Sequence, residues 1–571
     1  MRISMRATFA LLSLVPALLA QQAPDPFRYV PADAAFVVRA KGPAAWRADL
    51  AATGLGKALS APGTAASWKE LIDSGRKALD PDGDHEKQFA TLSELLLGHA
   101  GSIVLAGRFD FSKLTEKDPP GFCMSLAVTG DGHTDLAQLA KAIEDVLPED
   151  AVDRQIAGQQ VRVHTVAKAQ FTAPFLHEGA LVMLCSSDLE AQAALCLDRR
   201  EHGFQVAPQL QSGLFGLQVE AYEPLRACLD AVAKFDDEEA RLAVKFIDLA
   251  GARSLQRLVW TMFADGKHFG QEVRVAFNAD ARGLFDVVLP VRSNTPKLLA
   301  YLPPDVQNWN IGTVDVQALQ TLYGKFFEQF GDQVPQSREQ IEQMFTEFTK
   351  LRLHEDFLSL LGGEYMHIND LSAAFDVADE DEGLGGSCFV VPLRDAKVAA
   401  QNLEKALRAR GMHAARKAED YGDTKIYSLR LVAAVPIEYA FAGDVFVLGI
   451  GDGEGTRKNL RSVLDTVAAR SKGAAATELS AAVQARLQGW PENWATIDVG
   501  DLSEVLDGLI TSLDTLLATV DEPDLEPELG FMHRFVGFAR KLRPELVRHD
   551  AAVTVTAGYS ARDAWVARSR W

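Results

Sequence analysis

Residues 29–38, YVPADAAFVV, return at 301–310 as YLPPDVQNWN, with Tyr29, Pro31 and Asp33 matched by Tyr301, Pro303 and Asp305. One such match proves little, but it is the first of a series. GFCMSLAV (121–128) and the amphipathic HTDLAQLAKAIEDVL (133–147) are answered by GSCFVVPL (386–393) and DAKVAAQNLEKALRARG (395–411), with Cys123 on Cys388. AGQQVRVHTV is answered by YGDTKIYSLR, with Gly158 on Gly422 as the turn residue before an alternating strand. HEGALVMLCSSDLEAQAALCL is answered by FAGDVFVLGIGDGEGTRKNLRSVL, with Gly179 on Gly443. The closing run LVWTMFADGKHFGQEVRVAF, two strands about a Gly-containing turn, matches the C-terminal AAVTVTAGYSARDAWVARSRW.

Landmarks recurring in one order at a slowly drifting offset identify an internal repeat before any fold is assigned. The chain is therefore expected to hold two tandem α+β modules, one at 27–293 and the other at 297–571, joined by the Pro-rich, polar PVRSNTPKLLAYLPPD. A weaker echo lies inside each module. WPENWATIDVGDLSEVLDGL resembles YLPPDVQNWNIGTVDVQALQTL, and LFGLQVEAYEPLRACLDAV is its counterpart in module one, so each half-module opens with a strand and then a helix.

The periodicity predicts a strand at 36–40, helices at 44–59 and 86–97, a strand pair, and an amphipathic helix at 135–147. Another strand pair and a helix at 189–197 come next, then a strand at 215–221, helices at 225–235 and 238–249, and a closing hairpin. Short loops between alternating strands favour antiparallel neighbours, because parallel ones need long crossovers. The fold class is α+β: a largely antiparallel sheet covered by helices on one face.

Composition narrows the setting. With 571 residues, 47% hydrophobic and 24% charged, the chain has the balance of a globular protein with more than one core. Arg2 and Arg6 precede the apolar run ATFALLSLVPALLA (7–20), which reads as a secretory signal cleaved near Ala20, too short to span a bilayer comfortably. No later stretch has the apolar length of a transmembrane helix, so the expected location is the periplasm or the extracellular space. The net charge of −20, about −22 without those two arginines, repels phosphate backbones and anionic headgroups and argues against nucleic acid as a partner. Five cysteines (Cys123, Cys185, Cys196, Cys228, Cys388) are too few for a disulfide framework. The expectation is buried free thiols, with Cys185 and Cys196 the pair to consider if one disulfide forms.

Motifs that suggest chemistry are each incomplete. DPDGDHE (80–86) gathers acids as a calcium loop does, but Gly83 is misplaced and Thr91 stands where the bidentate Glu belongs. The runs at 236–239 and 378–383 read as hydrated helix starts or hairpin tips. GIGDGEGTRKN (449–459) follows a strand and precedes a helix, yet Glu454 takes the place of the third glycine of a dinucleotide fingerprint and no Gly-Lys-Ser/Thr follows. His177-Glu178 and His85-Glu86 open like zinc-protease helices, but Leu181 and Phe89 replace the second His. His164 and His268 have no counterparts in the other module, Ser428 standing opposite His164. Trp46, Trp68, Trp309, Trp490, Trp494 and Trp565 fit core packing better than a ligand platform. No catalytic, cofactor-binding or metal-binding residue is assigned.

The opening PFRYVPADAAFVVRAKGPAAWRADLAATGLGKAL resembles that of uncharacterised exported proteins of planctomycete-type bacteria, a domain-of-unknown-function family. In these a Pro-Ala-Asp segment precedes a strand and a helix ending in a Leu-Gly-Lys turn, here Leu55, Gly56 and Lys57. The resemblance implies export and repetition and carries no catalytic residues. Duplication without preserved reactive side chains favours an exported, non-enzymatic binding or scaffold protein whose partner is another protein or an envelope component. An envelope or extracellular hydrolase using scattered acidic or His residues, and a calcium-dependent adhesin, are the alternatives.

Overall fold

The computed structural model describes residues 25–79, 100–111, 114–115, 120–130, 136–145, 147, 150–156, 158–166, 169–197, 204–278, 283–288, 296–331, 333, 336–369, 387–430, 436–451, 454–476, 478–491, 494–519, 526–560 and 564–571. The chain divides into two compact units. The first runs to Ile247 and takes in Ala252–Asp280 and Glu526–Arg534; the second comprises Asp248–Gly251, Ala281–Leu525 and Phe535–Trp571.

The first half of the chain runs β1 (Phe36–Lys41), α1 (Pro43–Ala52), α2 (Gly54–Ser60), α3 (Pro62–Leu79), β2 (Ala100–Asp110), β3 (Gly121–Gly130) and α4 (Leu136–Glu144). It continues through β4 (Ala151–Ile156), β5 (Gln159–Val166), β6 (Ala169–Thr172), β7 (Phe175–His177), β8 (Ala180–Ser186) and α5 (Leu189–Leu197). Then follow α6 (Pro208–Ser212), β9 (Phe215–Glu220), α7 (Tyr222–Val232), α8 (Glu238–Leu249), β10 (Leu255–Asp265) and β11 (His268–Phe277). These strands pair antiparallel in the order β4-β5-β6-β8-β3-β2-β1-β9-β10-β11, with β7 continuing the line of β6 along β8.

The second half carries α9 (Leu284–Val288), β12 (Trp309–Thr313), α10 (Val316–Phe330), α11 (Arg338–Thr349), β13 (Glu364–Ile368), β14 (Ser387–Pro392) and α12 (Ala396–Ala409). Next come β15 (Lys417–Tyr421), β16 (Thr424–Arg430), β17 (Pro436–Ala442), β18 (Val445–Ile450), α13 (Glu454–Ser471) and α14 (Ala481–Leu487). The last elements are β19 (Thr496–Asp501), α15 (Leu502–Thr519), α16 (Glu526–Arg548), β20 (Val553–Ser560) and β21 (Ala564–Arg570). Here the order is β15-β16-β17-β18-β14-β13-β12-β19-β20-β21, again antiparallel throughout. Strand for strand, the two sheets are connected in the same sequence.

Local chemistry explains the recurring joints. Gly158 and Gly422 close the β4–β5 and β15–β16 hairpins with φ of 78° and 55°, and Gly179 and Gly443 close the turns before β8 and β18 at 83° and 57°. These are left-handed conformations that favour glycine. The aspartates ending the alternating runs start helices: Asp315 accepts from the N–H groups of Gln317 and Ala318, and Asp501 from that of Ser503.

The α+β class with antiparallel sheets agrees with the sequence reading, but the helices do not keep to one face. On β18, Val445 and Val447 pack with Leu460 and Val463 of α13, while Phe446 and Leu448 pack on the other side with Leu403 and Leu407 of α12. On β8, Val182 and Leu184 meet Leu189 and Ala193 of α5, while Leu181 meets Leu139 of α4. The runs ALVML and VFVL are apolar at successive positions, which is what burial on both faces demands. Two further departures concern helices. The expected helix at 44–59 breaks at Thr53 into α1 and α2, and α3 was not anticipated. The expected helix at 86–97 lies outside the described residues.

Strand register also shifts four equivalences: Gly158 and Gly179 stand second in their two-residue turns where Gly422 and Gly443 stand first, and a cysteine and a histidine move as well. The lateral line Trp309–Ile368–Cys388 corresponds to Val37–Ala106–Ser125, so Ser125 rather than Cys123 lies at the place of Cys388. Counting from the two hairpin turns, His164 matches Leu429, one residue beyond Ser428. His164 is 1% exposed, stacks on Phe171 with centroids 5.2 Å apart, and neither ring nitrogen has a hydrogen-bond partner among the described residues. An unsatisfied buried polar group costs about 1–3 kcal/mol. His164→Leu, which copies the second unit, is therefore expected to raise the unfolding midpoint; a lower midpoint would show that the imidazole has a partner the apolar side chain cannot replace.

Candidate functional site

Among the described residues, charged and aromatic side chains converge in a groove of the second unit, between α12 and the outward face of β15–β17. Asp395 caps α12 by accepting from the Val398 N–H at 2.9 Å. The helix lays Leu403 and Leu407 onto Leu429, Tyr439, Phe446 and Leu448. Gly411, at φ 68°, then reverses the chain, and the single turn Met412–Ala415 brings His413 and Arg416 back beside Glu404 of the helix.

Glu404 is the hub. Its Oε1 accepts from Arg408 Nε at 2.8 Å and lies 2.8 Å from His413 Nε2, and its Oε2 lies 2.8 Å from Arg416 Nη1. The Arg408 hydrogen bond, reinforced by the charges of Arg416 and His413, holds the Glu404 carboxyl below the usual carboxylate range. Arg416 also donates to the Tyr439 hydroxyl at 3.2 Å, and its guanidinium sits 4.2 Å above the Tyr427 ring. Burial pushes the Tyr439 phenol up from its ordinary value.

The floor is aromatic. Tyr427 and Tyr439 stack with centroids 5.3 Å apart and planes at 27°, and Phe441 and Phe446 adjoin at 5.0 Å. Lys425, paired with Asp420 at 2.6 Å, and Asp423 form the far rim. The groove is open to solvent and has a volume of about 780 Å³, within the range of roughly 300–1,000 Å³ common for small-molecule sites. In the first unit the matching place differs. Arg162 stands where Tyr427 does and Ala173 where Tyr439 does, with Arg162 ion-paired to Glu144 at the end of α4. None of these groove residues was singled out in the sequence; the signals were the Glu404/Arg408 spacing on a helix and the alternation of Tyr439 and Phe441 along β17.

The motifs weighed in the sequence fall elsewhere. His177 and Glu178 end β7 in a hairpin, where the Tyr29 hydroxyl donates to the His177 carbonyl at 2.7 Å and Glu178 pairs with Arg28. Asp237 starts α8 by accepting from the Glu239 N–H at 2.9 Å. Gly449 lies within β18, paired with Cys388 and Glu438, and Gly451 follows the strand on the way to α13, where Arg457 is engaged by the buried Glu438. The tracts at 80–86 and 378–383, including His85-Glu86, lie outside the described residues. Trp309 and Trp490 are core residues, and Trp494 packs against the same core. His268 is buried on β11. All five cysteines are free thiols. Burial raises Cys185 to about 11 and Cys196 and Cys388 to about 12, so these three are protonated and poor nucleophiles at neutral pH. Among the described residues no group of three or more His, Cys, Asp or Glu converges as a metal site, and no helix is long and apolar enough to cross a membrane.

No family model and no curated protein matches the chain. Among solved structures, TP0453 in crystal forms III and IV is similar at 7% identity and a TM-score of 0.24, covering 46% and 44% of this chain and 83% and 80% of those chains. That score is too low to carry an argument about fold or function.

Proposed function

We propose that this chain is an exported, non-catalytic binding protein built from two copies of one α+β module, and that the groove over β15–β17 is its binding site for an envelope component. The duplication is supported by the shared strand order and by two-residue turns at the same two joints, each holding a left-handed glycine, Gly158 and Gly179 second in their turns and Gly422 and Gly443 first. Export rests on the basic and apolar start at residues 2–20.

The observation that carries the binding reading is the state of Glu404. A catalytic carboxylate needs freedom to take a proton or attack, and usually a raised pKa to act as an acid near neutrality. Glu404 is instead ionised and occupied by Arg408, His413 and Arg416. Charges that satisfy one another around an aromatic floor hold a shape and offer hydrogen bonds.

The test is hydrogen exchange on the full chain with and without a detergent-free envelope extract. Protection concentrated in residues 396–442, and reduced in Arg416→Ala, is the expected result. Unchanged exchange across those residues would refute the groove as the binding site.

A further inference from the structure

We infer that the groove takes a short peptide with both termini free, its carboxylate at Arg408 and its ammonium at Asp420 and Asp423. The inference rests on the groove being a binding site and names the chemistry of its ligand. Among the described residues, charge in the lining divides by place. Where α12 meets the turn at Met412–Ala415, Arg408, Arg416 and His413 surround one acid, Glu404, so that end carries a surplus positive charge whether or not His413 is protonated. At the β15–β16 turn, Asp420 and Asp423 share the lining with one cation, Lys425, so that end carries a surplus negative charge. Lys472, outside the lining, approaches Asp423 at 3.8 Å, but both are largely exposed, and a surface pair of that kind is worth little. A neutral ligand would leave both surpluses unmet, and a simple anion or cation would meet one of them.

Atoms for the two charges are accessible. Glu404 takes only Nε of Arg408, which is 67% exposed, leaving its two Nη groups to fork onto a second carboxylate. Arg416, at 14%, is committed to Glu404, Tyr439 and the Tyr427 face, and its part is to hold Glu404 in place. Asp420 and Asp423 are 80% and 89% exposed, so their carboxylates are open to an ammonium.

The span argues for a peptide over a free amino acid. Arg416, just before β15, and Asp420 within it are four residues apart in extended backbone and share a face, with the small Ala418 between them, which sets their Cα atoms about 13 Å apart. Side chains reaching in from both ends shorten the gap, and three or four extended residues at roughly 3.3 Å each cover it. One amino acid does not. A volume of about 780 Å³ leaves room for such a chain. The exposed Gln401 of α12 offers, in the same lining, the donor and acceptor that a peptide backbone pairs with. The first unit lacks both ends: counting from the hairpin turns, Ala151 stands at the place of Arg416, Gln155 at that of Asp420 and Gln160 at that of Lys425.

Isothermal titration of the full chain with alanine, tri-alanine and tetra-alanine, and with tetra-alanine amidated at its C-terminus or acetylated at its N-terminus, tests this. The free tri- or tetrapeptide is expected to bind at millimolar concentration or below. Either block should weaken that binding about tenfold, the scale of one lost charge-assisted hydrogen bond. Arg408→Gln should bind free and amidated peptide alike, and Asp420→Asn combined with Asp423→Asn should bind free and acetylated peptide alike. Thermal melting of each variant establishes that it is folded. Absence of heat with both free peptides, alanine binding as tightly as tetra-alanine, equal binding of blocked and free peptides, or a folded Arg408→Gln that still prefers the free carboxylate would overturn the inference. If envelope extract still protects residues 396–442 in that case, the groove remains a binding site and only the ligand class is wrong. If neither the extract nor a peptide acts there, both readings fall.

Discussion

Gly56→Ala is expected to destabilise the first unit by about 3 kcal/mol, because a Cβ at this position would stand 1.8 Å from the Leu50 carbonyl oxygen and 2.4 Å from its carbon. The obstacle is backbone, so no side chain can swing away. The corner between α1 and α2 is drawn tight by Thr53, which donates to the Leu50 carbonyl at 2.7 Å and accepts from the Gly56 N–H at 3.0 Å. The Gly54 N–H donates to the Lys267 carbonyl at 2.9 Å, tying the corner to the β10–β11 turn. Admitting a methyl group means moving α2 and giving up the Thr53 cap, worth about 1 kcal/mol by itself. At about 2–4 °C per kcal/mol for a unit of this size, the transition should fall by about 6–12 °C. Gly63→Ala, at the start of α3, is the control: nothing lies within 4 Å of its Cβ and the residue is exposed. That substitution is expected to be neutral or stabilising by up to about 1 kcal/mol. Calorimetry of the two variants decides the matter, and equal midpoints would mean that the corner is not close-packed.

Arg486→Ala should cost the second unit about 3 kcal/mol, as its two hydrogen bonds to backbone carbonyls are lost at roughly 1.5 kcal/mol or more each, along with a longer one to the Asp550 carboxylate at 3.3 Å. The side chain is wholly buried. Its guanidinium donates to the Ala482 carbonyl at 3.0 Å and to the Asp550 carbonyl at 2.6 Å, the latter just beyond the end of α16. Asp550 holds φ at 54°, an uncommon conformation for a residue other than glycine, and the bond from Arg486 helps fix it there. Its own carboxylate is half exposed and retains water when the arginine is gone. Arg570 continues the chain of contacts by donating to the Arg486 and Gln488 carbonyls at 2.7 and 2.8 Å, with its guanidinium 5.0 Å from the Trp490 ring centre. Arg486→Lys keeps the charge with a single donor head and should fall between the wild type and Arg486→Ala. If Arg486→Ala melts with the wild type, the buried arginine has no structural role.

The groove was invisible to sequence reading for a definite reason. Glu404 and Arg408 look like an ordinary exposed helical pair, and His413 and Arg416 like loop residues. Only the reversal at Gly411 carries them back across the helix, and only the lateral pairing of β16 with β17 sets Tyr427 against Tyr439. Conversely, the motifs that attracted notice in the sequence were matches of spacing without context. His177-Glu178 ends a strand, and a zinc-protease pair requires a helix to place both imidazoles on one side. The Leu55-Gly56-Lys57 segment, a turn by the family resemblance and helix by periodicity, is helical, and its glycine is required by backbone contact that no local pattern encodes.

Local periodicity and turn chemistry by themselves determined the order of most elements. Strands such as Phe36–Lys41 and Phe215–Glu220, the helices at Leu189–Leu197 and Glu238–Leu249, the left-handed glycines and the aspartate-started helices all follow from residues within a few positions of one another. Antiparallel pairing followed from loop length. The tertiary structure decided what depends on distant neighbours: the lateral strand order, the register that sets Ser125 rather than Cys123 at the place of Cys388, helices on both faces of each sheet, and the encirclement of Glu404 by three partners. Sequence spacing fixes which residues share a face of one element, but the residue that faces them is chosen by packing between elements, where burial and hydrogen-bond satisfaction act over the whole unit.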